Sequence, residues 1–394
     1  MRWASDFGRA GTIHNAAIED IRIIATVLLV TYHVIGQPDS GLHLQYPHGL
    51  RFAADLLANF RMPAFAFIAG FIYCLRPTRL DSFDSFIEGK LRRLAVPGII
   101  AALIFVGMSN LIDGRFAIPP MSLWQILAFP YAHYWFIQAI LVLFLVIGLA
   151  DAALRNRGEF ILFGVTVLFA LSGLLSTPLF SINHAIWLAP SFTFGMCVYR
   201  HGRWIERHVA PITVIAAGLF GLALGYMVLN YRTNPLAPAP GGIVLAMAFG
   251  MSLCMLMLLH LPHHPRARAL VQFSFTIYLY HVFATSGTRT ALLYMGITSL
   301  AVNILLGVTA GLVLPMLLHW LAARSPVTAA LFLGIKRKGK LGTSEPEVTV
   351  TIPAGHWVPV SVPAVPVLNE KARDPQGTAR FLSVSQSGRD VSGV

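Results

Sequence analysis

The fold of this chain is decided by a stretch near its start, residues 18–36, which reads IEDIRIIATVLLVTYHVIG. A membrane-spanning helix needs roughly 20 mainly apolar residues, and this stretch has that length although it contains Arg22 and His33. It has no small-x-small cleavage site, so we expect it to stay in the protein rather than to be removed as a signal peptide. The sequence predicts an all-α, polytopic integral membrane protein with about ten transmembrane helices, because comparable apolar runs follow at 54–75, 95–112, 134–150, 159–176, 185–200, 210–230, 241–261, 270–290 and 297–321.

The composition agrees with a membrane protein and excludes several other classes. Hydrophobic residues make up 56% of the 394 residues and charged residues only 12%, whereas soluble domains carry about 25% charged residues. The mean hydropathy is +0.67. These values exclude a nucleic-acid-binding protein, a disulfide scaffold or a disordered chain. The three cysteines lie inside apolar runs without a CxxC pair, so neither disulfides nor a cysteine metal site is expected.

The distribution of basic residues predicts the orientation in the membrane. The loops after the second, fourth, sixth and eighth runs hold Arg76, Arg79, Lys90, Arg92, Arg93, Arg155, Arg157, Arg200, Arg203, Arg207, Arg266 and Arg268. The alternate loops hold only Arg51, Arg115, Arg232 and Arg289. Because basic loops stay in the cytoplasm, both termini are predicted to be cytoplasmic. The predicted location is a bacterial inner membrane.

The chain divides into three predicted parts. Residues 1–17 form a cytoplasmic N-terminal segment, residues 18–321 the membrane domain, and residues 322–394 a mostly disordered cytoplasmic tail rich in proline. The run from Met121 to His133 is predicted to be re-entrant or interfacial. Two small-residue motifs, Gly221-x-x-x-Gly225 and Gly307-x-x-x-Gly311, are predicted to let helices approach closely.

The first run contains the strongest pair of candidate functional residues. Arg22 and His33 are eleven residues apart, which is about three helical turns, so both face the same way and are separated by roughly 16 Å. Arg22 would lie near the cytoplasm and suits an anionic substrate, while the deeper His33 suits a general base. The alternative is that Arg22 reaches the interface and His33 only bonds a neighbouring helix.

Five segments in order resemble acyltransferase family 3, a family of membrane proteins. The first is Glu19–Ala25 running on to His33, which matches the family pattern of Arg or Lys, ten residues, then His. The sequence departs from the family at Ala69, where a serine is usual. The other four segments are Phe60–Phe71, Lys90–Pro97, His133–Ile137 and Ser274–His281.

The resemblance implies ten helices and the transfer of an acyl group, usually acetyl from acetyl-CoA, to a hydroxyl of an extracytoplasmic glycan. It implies His33 as the base or acyl relay and Arg22 on the donor side. The expected partners are acyl-CoA, a glycan or lipid-linked saccharide acceptor, and the lipid bilayer, with no nucleic acid. Acyl-CoA is a substrate, and neither a resident cofactor nor a metal is expected. A succinyl group is the alternative, because Phe60–Pro63 and the segment that begins at His133 resemble a branch that transfers succinyl to periplasmic glucans.

Other residues have a functional and a structural interpretation. Lys90, Arg92 and Arg93 can bind the CoA phosphates or can be ordinary cytoplasmic loop charge. Tyr278 and His281 share a helix face and can assist His33 or form an interhelical hydrogen-bonded pair.

The acceptor side has its own candidates. Arg61 can hold an acidic or polar sugar acceptor, anchor its helix at the interface, or pair with nearby Asp55. Trp135 can stack on a sugar or mark the interface. His133 has no clear partner. Asp20 is expected to pair with Arg22 or to cap its helix. The histidines His260, His263 and His264 are interpreted as a solvated loop rather than a metal site.

Two other classes of function stay open. A transporter or flippase of a lipid-linked saccharide would also need many helices and a few buried charges, but it would have no need of CoA. Transporters often show two corresponding halves, and none is visible in this sequence. A signalling or scaffold protein with a degenerate acyltransferase fold is the third class. The presence of Arg22, His33, Tyr278 and His281 argues against it.

Overall fold

The architecture is given by a computed structural model that describes residues 16–36, 40–45, 48–111, 123–230, 240–262 and 267–335. Within these ranges the chain is helical and contains no β-strand. The predictions about Arg115, Arg232, His263, His264 and Arg266 lie outside the described residues, as does nearly all of the predicted N-terminal segment.

Fifteen α-helices follow one another along the described residues. They are α1 (Ala16–Ile35), α2 (Gly49–Tyr73), α3 (Phe83–Lys90), α4 (Val96–Leu111), α5 (Leu123–Ala128), α6 (Trp135–Ala153), α7 (Glu159–Ser172), α8 (Ile182–Arg200), α9 (Gly202–Arg207), α10 (Val209–Leu229), α11 (Pro240–His260), α12 (Ala267–Val271), α13 (Ser274–Tyr294), α14 (Leu300–Ala322) and α15 (Pro326–Leu333). A π-helical turn, Leu91–Ala95, joins α3 to α4. Single 3-10 turns precede α3, α6 and α8.

Nine of the ten predicted apolar runs fall mainly on a single helix, and the run 270–290 begins in α12 and continues through α13. Six described segments are long and apolar enough to cross a membrane, and they contain α2, α4, α6, α10, α11 and α14. The other four runs are less apolar or shorter: α7 has 14 residues, and α1, α8 and α13 carry polar side chains. The described part of the chain is therefore all-helical, and its long apolar helices are those of a multi-pass membrane protein. Ten spans and cytoplasmic termini remain predictions.

The polar helices form the centre of the bundle. About half of the residues of α1, α8 and α13 are buried, whereas α10 buries only Ala216, Ala223 and Met227. Neighbouring helices shield the polar side chains of the central helices from lipid, because each exposed polar group would cost free energy in the hydrocarbon region. The helices least suited to lipid are therefore the ones that can carry a site.

A close helix contact joins α2 to α8 through two glycines. A Cβ atom on Gly70 would lie 1.9 Å from the carbonyl oxygen of Phe192, and one on Gly195 would lie 2.1 Å from that of Phe67. Only glycine permits backbones to approach this closely. This contact places α2, which carries Arg61, in a fixed position in the bundle.

The two predicted small-residue motifs differ in outcome. On α14 the predicted close approach is confirmed. A Cβ atom on Gly307 would lie 3.0 Å from the Val34 side chain of α1, and one on Gly311 would lie 2.5 Å from the Val30 side chain. On α10 the predicted close approach is wrong, because no described atom of another helix lies within 4 Å of a Cβ placed on Gly221 or Gly225. The spacing creates a groove in either case, but α10 lies at the edge of the bundle and no described helix fills its groove.

An ion-pair network that the sequence did not reveal ties α6, α7 and α8 together. Arg200 donates to both carboxylate oxygens of Asp151 at 2.8 and 2.6 Å and to Glu159 at 3.0 Å. Tyr73 of α2 donates to Asp151 at 3.0 Å, and His201 lies 2.9 Å from Glu159. Asp151 is completely buried. The sequence predicts Arg200 only as a cytoplasmic loop charge.

The structure describes part of two further predicted segments, the run from Met121 to His133 and the C-terminal tail. The run from Met121 to His133 contains the short helix α5 and the start of the 3-10 turn Ala132–Tyr134. The predicted tail begins within residues described as helical, since α15 lies between Pro326 and Leu333. Residues 336–394 lie outside the described part. The three cysteines are free, buried thiols.

Candidate active site

The first helix has the geometry that the sequence predicts. It runs unbroken from Ala16 to Ile35, so Arg22 and His33 share one face and are roughly 16 Å apart along the axis. Asp20 is buried two positions from Arg22, which places it on a different face, and no ion pair joins the two described side chains. The expected pairing of Asp20 with Arg22 is therefore wrong.

Three histidines from distant parts of the chain meet around His33. Its ring centroid lies 4.8 Å from that of His281 and 5.8 Å from that of His133, and the latter two are 5.2 Å apart. His33 comes from the last turn of α1, His133 from the 3-10 turn before α6, and His281 from α13. Sequence reasoning gave His133 no role. Its only signal was its position in the segment His133–Ile137.

The hydrogen bonds of His281 define its tautomer. Its Nδ1 lies 2.8 Å from the carbonyl oxygen of Ile277 and 2.9 Å from that of Tyr278. Carbonyl oxygens only accept, so Nδ1 carries a proton, and in the neutral ring Nε2 is an acceptor. Nε2 is buried and has no hydrogen-bond partner among the described residues. This acceptor on a fully buried ring next to His33 can orient the His33 imidazole.

A second set of hydrogen bonds holds the turn that carries His133. His133 Nε2 lies 3.3 Å from the carbonyl oxygen of Leu279, and the Tyr134 hydroxyl donates to the same oxygen at 3.2 Å. The hydroxyl of Tyr278 donates to the carbonyl oxygen of His133. The predicted site residue Tyr278 therefore supports the histidine cluster through its hydroxyl, which is already engaged.

A cavity of about 400 Å³, the wide cavity, opens beside His33. Its volume is in the range of small-molecule sites. Of the predicted site residues, His33, Arg61, Trp135 and Tyr278 line it, whereas Arg22, Lys90, Arg92 and Arg93 do not. The described residues that line it are Leu29, Tyr32, His33, Gly36, Ser40, Arg61, Met62, Phe105, Ala132, His133, Trp135, Tyr278 and Val282.

Arg61 is the permanently charged residue among the described residues that line this cavity. It is only 7% exposed, its guanidinium lies 3.8 Å above the Tyr32 ring, and its Nε has no hydrogen-bond partner in the described chain. The expected ion pair of Arg61 with Asp55 is wrong. Asp55 is instead 2.6 Å from Arg51 Nε, because these two residues are one helical turn apart and both are buried.

A tight turn after α1 fixes the end of the helix that carries His33. The backbone N–H of Leu42 donates to the carbonyl oxygen of Val34 at 3.1 Å. Gly36 and Gly41 have φ values of +74° and +61°, which favour glycine. Arg51 donates to the Gly36 carbonyl oxygen at 2.7 Å, and Arg289 donates to that of Gly41. Two arginines thus hold the turn from opposite sides.

A smaller cavity of about 10 Å³ lies on another side of His33. Polar side chains line it, namely Thr285, Ser286, Arg289 and Asn303. A space of this size holds about one water or one hydroxyl group. His33 therefore stands between a wide aromatic cavity and a narrow polar one.

Trp135 forms a wall of the wide cavity. Its ring stacks on that of His184 with centroids 4.3 Å apart and an interplanar angle of 28°. This stacking holds one face of the indole against α8. Trp135 is thus held by one ring face while it lines the cavity.

The predicted donor-side residues have three different environments. The Lys90 Nζ lies 3.7 Å from the centroid of the Phe144 ring. Arg92 is partly buried, and its Nε has no hydrogen-bond partner in the described chain, whereas Arg93 is exposed. Arg22 is partly buried. Of the three loop cations, Arg92 has the clearest unused hydrogen-bonding capacity.

These features define a helical membrane protein with a buried histidine site beside a substrate-sized cavity. A family model described as an acyltransferase domain, that of acyltransferase family 3, matches residues 15–324. No curated protein and no solved structure gave a significant match. The chain belongs to this acyltransferase family. It is therefore a membrane acyltransferase, and its reaction needs an acyl donor, an acceptor and a bilayer.

Proposed function

We propose that this protein is an O-acyltransferase of a bacterial inner membrane that acylates a hydroxyl of an extracytoplasmic or cell-surface glycan. Acetyl-CoA on the cytoplasmic side is the proposed donor. The observation that carries the proposal is the position of His33, which lines a cavity of about 400 Å³ and lies 4.8 Å from His281, ring to ring. A base next to a space for two reacting groups is what acyl transfer requires.

His33 acts as the general base in the proposed reaction. It removes the proton of the acceptor hydroxyl while the hydroxyl oxygen attacks the thioester carbonyl carbon. When the intermediate collapses, the carbon–sulfur bond breaks and the CoA sulfur takes the proton from His33. His281 and Tyr278 are proposed to position this base: His281 through its free Nε2 and Tyr278 by holding the His133 turn. A covalent acyl relay on His33 is a variant of the same proposal.

The donor is proposed to reach His33 from the end of α1 that carries Arg22. The roughly 16 Å between Arg22 and His33 along the helix separates a cation for the phosphates from the base at the thioester. Arg92 is the loop residue best suited to a phosphate, because part of its guanidinium is buried and unused. Lys90 and Arg93 are proposed to add positive charge near the same entrance.

The acceptor is proposed to occupy the wide cavity. Trp135 offers an oriented aromatic wall, which suits a sugar ring, and Arg61 offers a charge and hydrogen-bond donors. No carboxylate lines this cavity among the described residues, so deprotonation of a hydroxyl acceptor would depend on a histidine, and His33 is the proposed base.

The experiment compares the glycans of cells with and without this gene by mass spectrometry. A base-labile group that is lost with the gene, and is restored by the wild type but not by His33→Ala, supports the proposal. The mass of the group names the acyl donor as acetyl or succinyl. Unchanged ester content in every glycan pool, with a saccharide precursor accumulating in the cytoplasm, would contradict it and favour a transporter.

A further inference from the structure

The buried arginine of the wide cavity lacks a carboxylate of its own. Helix α2 contains three ionic side chains, Arg51, Asp55 and Arg61, and each is at most 7% exposed. Asp55 pairs with Arg51 at 2.6 Å. One positive charge on this helix, that of Arg61, is therefore not neutralised by an ion pair within the helix, and no described carboxylate lines the cavity beside it.

A buried cation without an anion is costly, because desolvation penalises the charge and nothing repays it in full. The Tyr32 ring, 3.8 Å from the Arg61 guanidinium, compensates only part of this cost, since a cation–π contact does not replace a counter-ion. The Nε of Arg61 also lacks a hydrogen-bond partner among the described residues. Both facts indicate that an anion occupies this place at some stage of the reaction.

The proposed reaction creates one such anion inside the cavity. Attack of the hydroxyl on the thioester moves the electron pair of the carbonyl double bond onto its oxygen, while the hydroxyl proton goes to His33. Arg61 and His33 line the same cavity, and the Tyr32 ring in contact with the Arg61 guanidinium has its centroid 5.4 Å from that of His33. A fixed cation in a buried site stabilises a developing oxyanion strongly.

We propose that Arg61 is a catalytic residue that binds the oxyanion of the tetrahedral intermediate. This inference rests on the proposed function. In the forward step a carbon–oxygen bond forms, the carbonyl oxygen becomes negative beside Arg61, and His33 becomes protonated. In the second step the carbonyl double bond re-forms and the carbon–sulfur bond breaks. The CoA sulfur then takes the proton from His33, and Arg61 is left without its anion.

The test uses membrane vesicles of cells that express the full chain, because these vesicles contain the endogenous acceptor. Labelled acetyl-CoA is supplied on the cytoplasmic face, and base-labile label in glycan is measured for the wild type, Arg61→Gln and Arg61→Lys. Rates are divided by the amount of protein in the membrane. We expect Arg61→Gln to lower the maximal rate about 100- to 1000-fold, as is usual when one oxyanion donor is lost. The KM for acetyl-CoA should change by less than about threefold, because the contact forms only in the transition state.

Arg61→Lys keeps the charge but loses the planar fork, so its maximal rate should lie between those of the wild type and Arg61→Gln, again with little change in KM. It also gives the answer if Arg61→Gln does not accumulate. The matched control is Arg324→Gln. Arg324 lies 3.5 Å from the centroid of the Trp320 ring, in a similar cation–π contact, but it is not in the wide cavity. Its loss should leave the rate unchanged.

Each other outcome is decisive. A rise in KM without a fall in the maximal rate would overturn the inference, because Arg61 would then bind an anionic part of the substrate before the reaction. Wild-type rates in Arg61→Gln would also overturn it, and both results would leave the proposed acyl transfer intact. Absence of transfer by the wild type from any acyl-CoA would instead contradict the proposed function itself.

Discussion

The His33 ring lies 4.8 Å from the His281 ring, which joins the first long helix of the described chain to α13 at the site. The Nδ1 of His281 is held by two carbonyl oxygens of its own helix, so its orientation is fixed by the backbone. Its acceptor Nε2 is the part left to interact with a neighbour. His281 can therefore orient His33 in the way that the third residue of a catalytic triad orients its base.

The first prediction concerns this orienting role. His281→Ala should lower acyl transfer about 100-fold in the vesicle assay, because the contribution of a well-placed acid–base system is about 10²–10⁴-fold. His281→Gln, which keeps a hydrogen-bonding group at a similar reach, should retain more activity. The pH profile of His281→Ala should also differ from that of the wild type. A purely structural role would give the same pH profile with less folded protein.

The second prediction distinguishes two adjacent loop arginines. Arg92→Ala should raise the KM for acetyl-CoA about 10- to 100-fold, because a hydrogen bond to a charged group contributes about 1.5–3 kcal/mol. Arg93→Ala should raise it less than about threefold, since Arg93 is exposed and exposed charges are screened by salt. Initial rates at varied acetyl-CoA concentration measure both values. Equal, small effects would assign the loop to ordinary membrane orientation.

The third prediction tests the contact between α2 and α8. Gly70→Ala places a methyl group 1.9 Å from the Phe192 carbonyl oxygen, so the helices must separate. We expect a loss of about 1–3 kcal/mol of stability, seen as a lower melting temperature of the purified protein. Gly221→Ala is the matched control, because no described atom of another helix lies within 4 Å of its Cβ position. It should be neutral or stabilising by up to about 1 kcal/mol.

The fourth prediction concerns the buried ion-pair network. Asp151→Ala should destabilise the protein by about 3–5 kcal/mol, because it leaves the Arg200 guanidinium without its main partner. The double variant Asp151→Leu with Arg200→Met should be more stable than Asp151→Ala alone. The melting temperature measures both. The control is Asp81→Ala, since the Arg79–Asp81 pair is exposed and 3.7 Å apart, and it should change stability by less than about 0.5 kcal/mol.

Much of the architecture could be predicted from hydropathy, and the reason is physical. The hydrocarbon region allows only helices or closed barrels, so apolar runs such as 54–75 and 210–230 indicate helices directly. The shared face of Arg22 and His33 also follows from helical geometry alone.

Contacts between distant segments could not be predicted in the same way. Apart from the family resemblance of its segment, nothing in the local sequence distinguishes His133, which lies beside His33 and His281, from a histidine at the membrane interface. The pairing of Asp55 with Arg51 rather than with Arg61 is local by contrast, and the spacing of four residues on one helix favours it over a spacing of six. The small-residue motif on α10 shows the same limit. The local sequence predicts a groove on the helix, but it does not determine whether another helix packs into that groove.

The most direct test of the account measures transfer of labelled acetyl groups from acetyl-CoA to base-labile glycan in vesicles that contain equal amounts of wild-type protein or His33→Ala. We predict that the wild type transfers label and that His33→Ala does not exceed vesicles without the protein. Transfer by His33→Ala at the wild-type rate would contradict the central claim, because the histidine between the two cavities would then not be the base.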